Sequence, residues 1–180
     1  MVLSELLCAA VLSMGMQNAT TACKYMPEVV AAAKKHNVKP EVLVGLIHVE
    51  SRWTPSAVSH ANACGLTQVI PKWTGGRASS GTKYTCEQLK DPVTSIWAGA
   101  EIFSFWRRKY GKGNYTIGLC GYNAGYRCKA KAKPDDSERI TPSPKGMRYA
   151  RLVLRKARTI KRKVRKISRQ RRKDANIPSK

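Results

Sequence analysis

One residue of this chain, Glu50, has the type and placement needed for acid catalysis. It lies near the end of the largely apolar stretch Pro40 to Ser51, where about 100° per residue puts Leu46, Ile47 and Glu50 on one face of a predicted helix. That face should turn towards the core, and burial disfavours the charged form of a carboxylate. We therefore interpret Glu50 as a candidate general acid, with a structural glutamate that closes the helix as the alternative.

Further short motifs follow Glu50-Ser51 in order along the chain. They are Gly65-Leu66-Thr67-Gln68, Asp91-Pro92 with Ser95-Ile96, Gly121-Tyr122-Asn123-Ala124-Gly125, and Tyr149 ahead of an apolar helix. The series resembles the soluble lytic transglycosylase (SLT) family and its goose-type lysozyme relatives, over roughly residues 25 to 155. Three positions depart from the family pattern, which usually has Met at Thr67, Asn at Ser95 and Ala at Gly121. These departures affect the expected shape of the sugar subsites more than the expected activity.

The resemblance implies a mainly α, lysozyme-like fold and a reaction on bacterial peptidoglycan. In this family a single glutamate protonates the oxygen between N-acetylmuramic acid and N-acetylglucosamine, then accepts a proton from the C6 hydroxyl as a 1,6-anhydro ring closes. Glu50 stands at the matching position. The matched motifs offer no second carboxylate of the kind that ordinary glycosidases need. We therefore expect a lytic transglycosylase; the alternatives are a hydrolytic, goose-type muramidase and a non-catalytic virion or nucleic-acid-binding protein with a lysozyme-like body.

Five further residues are expected to contact the glycan, because they match family positions or lie next to Glu50. They are Ser51, Gln68, Tyr122, Asn123 and Tyr149. Amide and phenol groups can grip N-acetyl and hydroxyl groups, and a tyrosine ring can stack on a pyranose. For Gln68 and Asn123 the alternative is a hydrogen bond that stabilises a loop, and for Ser51 a hydroxyl that satisfies the helix end. The segment from Gly121 to Gly125 is predicted to be a turn.

The six cysteines and three histidines do not indicate a metal site. The cysteines form no Cys-x-x-Cys pair, and the histidines have no ligand-like spacing with them, so neither a metal nor a cofactor is expected. In an oxidising compartment, disulfide bridges such as Cys64 to Cys86 or Cys120 to Cys128 would cross-link the loops near the motifs. Free, buried thiols are the alternative for a protein that stays in the cytosol.

The chain is strongly basic, with a net charge of +23. Residues 145 to 180 alone hold sixteen Lys and Arg against one acid, Asp174. Such a balance predicts attraction to a polyanion, whether DNA, lipopolysaccharide or an anionic membrane, without choosing among them. No stretch approaches about 18 consecutive apolar residues, so a membrane span is not expected.

Length and patterning predict one core with extensions, since 180 residues can bury one good core. We expect an N-terminal helix or uncleaved signal-like segment over residues 1–23, a lysozyme-like transglycosylase domain over 24–150 and a basic tail over 151–180. Glu5 stands where a secretory signal would carry a basic residue, which favours a packed helix. Apolar residues of the tail step by 4, 3, 4 and 3 and predict a helix with a narrow apolar stripe: Val153, Ala157, Ile160, Val164 and Ile167.

Local signals mark several other boundaries. Asp91 and Asn114 are predicted to cap the N-termini of two helices. Residues 129 to 144 are polar, contain proline and predict a loop.

The combination of a small wall-cleaving domain and a dense basic extension suggests a bacteriophage setting. We expect a virion component that acts in the host periplasm, where it opens the wall for genome entry, with peptidoglycan strands and other virion proteins as partners; a phage lysis enzyme is the alternative within this setting. A bacterial periplasmic enzyme is the alternative, if the first 22 residues are a cleaved signal peptide.

Overall fold

A computed structural model describes residues 2–75, 81–128 and 142–175 of the chain. The described residues are mainly helical, and the predicted mainly α class is confirmed. The helices are α1 (Leu3–Ser13), α2 (Ala19–Lys35), α3 (Pro40–Ser51), α4 (Cys86–Lys90), α5 (Pro92–Phe105), α6 (Tyr115–Ala124) and α7 (Pro144–Ala175). Short 3-10 turns lie at Pro71–Trp73 and Gly125–Cys128, and a π-helical turn lies at Trp106–Tyr110. Between α3 and α4, extended pairing is limited in the described residues to bridges of Cys64 with Val58 and Val69.

Helix α3 lies in the centre of the core. Its residues Leu43, Val44, Leu46 and Ile47 are fully buried, which follows from the apolar run that predicted this helix. Gly45 lets α7 approach closely, because a Cβ at this position would lie 3.1 Å from the Val153 carbonyl oxygen. The two helices that supply the candidate site therefore pack backbone against backbone.

Helix α7 runs for 32 residues and joins the core to the basic tail. Val153, Ala157 and Ile160 are buried, so the first part of the predicted apolar stripe packs on the body of the protein. The helix passes residue 150 without a break, since it begins at Pro144. The division at residue 150 into a catalytic domain and a tail stays a prediction.

The N-terminal segment packs on the same core. Leu7, Ala10 and Val11 of α1 are buried, at the spacing of one helix face. The Cys8–Cys23 disulfide ties α1 to α2. Because residues 19 to 23 belong to α2, the predicted segment boundary at residue 23 falls inside that helix.

Three disulfides, Cys8–Cys23, Cys64–Cys86 and Cys120–Cys128, use all six cysteines. The two bridges considered from the sequence are present, and the free-thiol alternative is wrong for this structure. The Cys8–Cys23 bridge was not anticipated, because nothing local shows that α1 folds back on α2.

Two further predictions concern the membrane and the long loop. In the part of the chain that the structure describes, no helix is both long and apolar enough to cross a membrane. Most of the predicted loop over residues 129 to 144 lies outside the described residues, and its end, from Pro144, is the first turn of α7.

Candidate active site

Glu50 lies in the last turn of α3, where the helix meets a sharp change of chain direction. Arg52 and Trp53 follow it in the left-handed region, with φ of 51° and 64°. The residue keeps partial solvent exposure, whereas its carboxyl group is surrounded by protein atoms. This burial raises the pKa of Glu50 to about 7, against the opposing effect of a hydrogen bond from Tyr149. A carboxyl group with such a pKa can hold a proton near neutral pH and still release it.

Tyr149 approaches Glu50 from α7. Its hydroxyl donates a hydrogen bond to Glu50 Oε1 at 2.5 Å, across 99 residues of sequence. Burial, followed by the nearby charge of Glu50, raises the pKa of Tyr149 well above its usual value of 10. Tyr149 therefore stays a neutral donor, and the structure brings together these two sequence-predicted residues.

Tyr122 lies on α6, close enough to Glu50 for the charge of its carboxyl group to act on the Tyr122 hydroxyl. Its hydroxyl donates to the Thr67 carbonyl oxygen at 2.7 Å, and burial together with the charge of Glu50 raises its pKa well above 10. The prediction of a turn from Gly121 to Gly125 is wrong, because α6 continues to Ala124. Position 121 of this helix requires glycine, because a Cβ there would lie 2.5 Å from the Trp106 ring.

Thr67 and Ser95 form a buried pair beneath Tyr122. Thr67 Oγ1 donates to the Ser95 carbonyl oxygen at 2.7 Å, and the Thr67 backbone N–H donates to Ser95 Oγ at 3.1 Å. A Cβ on Gly99 would lie 2.5 Å from the Thr67 side chain, so α5 can lie this close only with glycine at that position. Thr67 and Ser95 are two of the three positions that depart from the family pattern, and they contact each other. Their pairing was not expected from the sequence, because they lie 28 positions apart.

Gln68 and Ser51 direct their donors to the backbone. The Gln68 amide donates to the carbonyl oxygens of Ala57 and Gly65, both at 3.0 Å, and Ser51 Oγ donates to the Ile47 carbonyl oxygen at 3.3 Å. These contacts match the structural alternatives considered for both residues. Sugar contact by Gln68 and Ser51 stays a prediction.

Asn123 follows Tyr122 on α6 and is exposed. This placement leaves its amide open to solvent beside the Tyr122 region. Its role in sugar binding stays a prediction.

The site is built around a single carboxylate. The pKa of Glu50 is shifted by burial and by Tyr149, and within the described ranges no second carboxylate contributes to that shift. The same part of the chain contains no group of three or more His, Cys, Asp or Glu residues that could hold a metal ion. The arrangement can donate and accept one proton at one position, which suits acid–base chemistry without a second acid.

Comparison with known proteins shows similarity to bacterial wall enzymes. The chain is 35% identical over 114 residues to membrane-bound lytic murein transglycosylase C of Haemophilus ducreyi, covering 57% of this chain and 30% of that protein. It is 33% identical over 113 residues to the protein of the same name from Glaesserella parasuis, covering 57% and 31%. The chain therefore spans about a third of the length of these curated relatives.

A solved structure shares the fold. An inactive mutant of lytic transglycosylase Slt from Pseudomonas aeruginosa matches with a TM-score of 0.66 and 18% sequence identity, covering 88% of this chain and 30% of that one. At this identity the match shows the lysozyme-like SLT fold alone, and it confirms the predicted architecture.

The family described as Transglycosylase SLT domain matches residues 27–141, more than half of the chain. That range contains Glu50, Gln68 and Tyr122, whereas Tyr149 lies beyond it. The order of motifs, the buried glutamate and this match agree, and the chain belongs to the Transglycosylase SLT domain family.

Proposed function

We propose that this chain is a peptidoglycan lytic transglycosylase that cleaves the β-1,4 bond between N-acetylmuramic acid and N-acetylglucosamine. The observation that carries the proposal is the Glu50 carboxyl group, with a pKa of about 7 and a hydrogen bond from Tyr149. Membership of the SLT family and the names of the relatives support the substrate class. The product would be a 1,6-anhydro-N-acetylmuramic acid end.

In the first step the protonated carboxyl group of Glu50 donates its proton to the bridging oxygen. Tyr149 donates to Oε1, so the proton that is transferred resides on Oε2. The bond from C1 of N-acetylmuramic acid to this oxygen breaks, and N-acetylglucosamine leaves with a hydroxyl group. The substrate's own N-acetyl group helps to carry the positive charge that develops at C1.

In the second step the Glu50 carboxylate acts as a base. It accepts the proton of the C6 hydroxyl as O6 attacks C1, which closes the anhydro ring and restores the acid without consuming water. The Tyr149 hydrogen bond stabilises the charged carboxylate between the two steps. One group with a pKa near the working pH can serve as both acid and base.

Mass spectrometry of the released fragments tests this proposal. Purified peptidoglycan treated with the full chain should yield muropeptides that end in anhydro-N-acetylmuramic acid. Fragments that are heavier by one water, with reducing ends, would instead identify a hydrolytic muramidase. Intact glycan after prolonged incubation would favour a non-catalytic virion or nucleic-acid-binding protein.

For the biological setting, we propose a virion component that acts in the host periplasm during genome entry, with other virion proteins as partners. The pairing of a wall-cleaving fold with the basic helix α7 supports this, because a particle that packages DNA offers α7 a counter-charge. Proteomic analysis of purified phage particles should detect the chain. Its presence only in a bacterial periplasmic fraction, with a new N-terminus after about residue 22, would contradict the proposal.

A further inference from the structure

Helix α7 carries a row of arginines along its outer side. The row consists of Arg151, Arg155, Arg158, Arg162, Arg165, Arg169 and Arg172, which we name the arginine ridge. Successive members are separated by 4, 3, 4, 3, 4 and 3 residues, so they lie on one helix face. All seven are exposed. At about 100° per residue, Lys166 and Lys173 lie at the edge of this row, whereas Lys156 and Lys163 lie on other sides of α7.

The ridge and the apolar stripe lie on different sides of the helix. At about 100° per residue, the ridge is rotated by roughly 150° from the stripe that contains Val153, Ala157 and Ile160. Those three residues are buried against the body, so the ridge points away from it. With a rise of about 1.5 Å per residue, the ridge is about 32 Å long.

The positive charge of the ridge is not neutralised within the protein. The sequence has no acid between Arg151 and Lys173, and in residues 2–75, 81–128 and 142–175 none of the seven arginines makes an ion pair with a carboxylate. Glu41 binds Lys161, which lies outside the ridge, at 3.6 Å. Holding so many like charges in one row destabilises the free protein and favours a partner that supplies regularly spaced anions.

The apolar side of α7 argues against a lipid partner. A helix that lies in a membrane surface needs a free apolar face. Here that face is used by the core as far as Ile160; beyond it Val164 and Ile167 are partly buried, and Arg171 follows on the same side. Too little apolar surface remains to enter an acyl layer.

The ridge has the chemistry and dimensions of a nucleic-acid contact. A guanidinium group can donate two parallel hydrogen bonds to one phosphate, and it is less strongly hydrated than an ammonium group. An α-helix about 10–12 Å wide fits the major groove of DNA, which is about 12 Å wide and bordered by phosphates. Arg162, Arg165 and Arg169 also border an open groove of about 420 Å³ on the helix surface, together with Lys166, Gln170 and Lys173.

We propose that the arginine ridge of α7 binds the phosphate backbone of double-stranded DNA without sequence preference. This goes beyond glycan cleavage and does not depend on Glu50, so either proposal can fail alone. It assigns the outer face of α7 a function of its own, while the start of the same helix supplies Tyr149 to the candidate active site.

The test compares two variants of the full chain that lose equal charge from the same helix. The ridge variant is Arg162→Gln, Arg165→Gln and Arg169→Gln; the control is Lys156→Gln, Lys161→Gln and Lys163→Gln. Fluorescence anisotropy over a range of salt concentrations measures binding to a duplex of about 20 base pairs, longer than the roughly ten base pairs that the ridge spans at 3.4 Å each. Far-UV circular dichroism checks that both variants keep their helices.

The ridge variant should bind at least about tenfold more weakly, and its slope of log K against log salt should fall by about 2 to 3, at about 0.9 for each lost phosphate contact. The control should stay within about threefold of the parent and change its slope by less than about 1. A third variant carries Arg162→Lys, Arg165→Lys and Arg169→Lys. It should bind DNA several-fold more weakly at an unchanged slope of log K against log salt, because it keeps the charge and loses the paired hydrogen bonds.

Equal losses in the ridge and control variants would overturn the proposal, since net charge alone would then explain binding. Tighter ridge-dependent binding to phosphatidylglycerol vesicles, lipopolysaccharide or a glycerol phosphate polymer than to duplex DNA would overturn it too. Release of muropeptides by the ridge variant should match that of the parent. This result separates a failure of DNA binding from a failure of the proposed enzyme activity.

Discussion

The hydroxyl of Tyr149 lies 2.5 Å from Glu50 Oε1 and joins the first part of α7 to the last turn of α3. Because this bond favours the charged carboxylate, it works against the burial that raises the Glu50 pKa. The acidity of the candidate acid therefore depends on how α7 docks on the core.

Replacing Glu50 with glutamine should remove glycan cleavage and preserve the fold. Loss of a general acid–base group typically costs about 100- to 10,000-fold in rate, and here the same group serves both steps. Release of anhydro-muropeptides measures the effect. Glu41→Gln, on the same helix and outside the site, is the matched control and should keep the parental rate. Retained turnover in Glu50→Gln would assign the acid to another residue.

The same variant should be more stable than the parent at alkaline pH. A glutamate whose pKa is raised on folding costs stability above its unfolded value of 4.5, and the full cost is reached above the folded value of about 7. The difference is of the order of 3 kcal/mol. Urea unfolding should show Glu50→Gln gaining stability from pH 4 to pH 8 relative to the parent. A gain that does not change with pH would contradict the raised pKa.

Cleavage should increase as the pH falls through about 7, because Glu50 must be protonated before the first step. In Tyr149→Phe the hydrogen bond that lowers this pKa is lost, so the alkaline limb of the profile should move to higher pH while the maximal rate falls. Tyr115→Phe is the control, since it removes a hydroxyl that accepts from the Lys39 backbone N–H instead. A pH profile of Tyr149→Phe identical to the parental one would show that Tyr149 does not influence the pKa of the catalytic acid.

Gly146→Ala should disturb the site from a distance. A Cβ at this position would lie 2.7 Å from Cys120 Sγ and 2.9 Å from Cys128 Sγ, so the start of α7 must move away from the disulfide. Overpacking of this kind costs about 1–3 kcal/mol, and moving α7 should weaken the Tyr149–Glu50 bond. Thermal unfolding and the pH profile measure the two effects.

A second background distinguishes this mechanism from a general defect of Gly146→Ala. The double variant Cys120→Ala, Cys128→Ala removes both sulfur atoms and loses about 2 kcal/mol from the open disulfide loop. In that background the additional Gly146→Ala change should cost much less than it does in the parent. Equal costs in both backgrounds would show that contact with the disulfide is not the cause.

Local patterns predicted much of the helical structure. Asp91 and Asn114 act as caps, since their side chains accept from the backbone N–H groups of Thr94 and Thr116, both at 2.8 Å. The apolar spacing of α3 and of the first half of α7 was also confirmed. These features depend on residues within a few positions of one another, which a sequence displays directly.

Other features depended on contacts between distant segments. The close approach of the Trp106 ring to Gly121 joins two helices, and the Gln68 amide donates to the Ala57 carbonyl oxygen, 11 positions away. The pairing of Thr67 with Ser95 spans 28 positions. No local pattern records such contacts.

The sequence by itself determined that Glu50 is the acid candidate, that the chain is mainly helical and that α7 is densely basic. Residue type, apolar period and charge are properties of short stretches of chain. Only the tertiary structure decided the acidity of Glu50, because that depends on burial by the core and on Tyr149, 99 residues away. It also decided that the apolar side of α7 packs on the body and leaves the arginine ridge exposed.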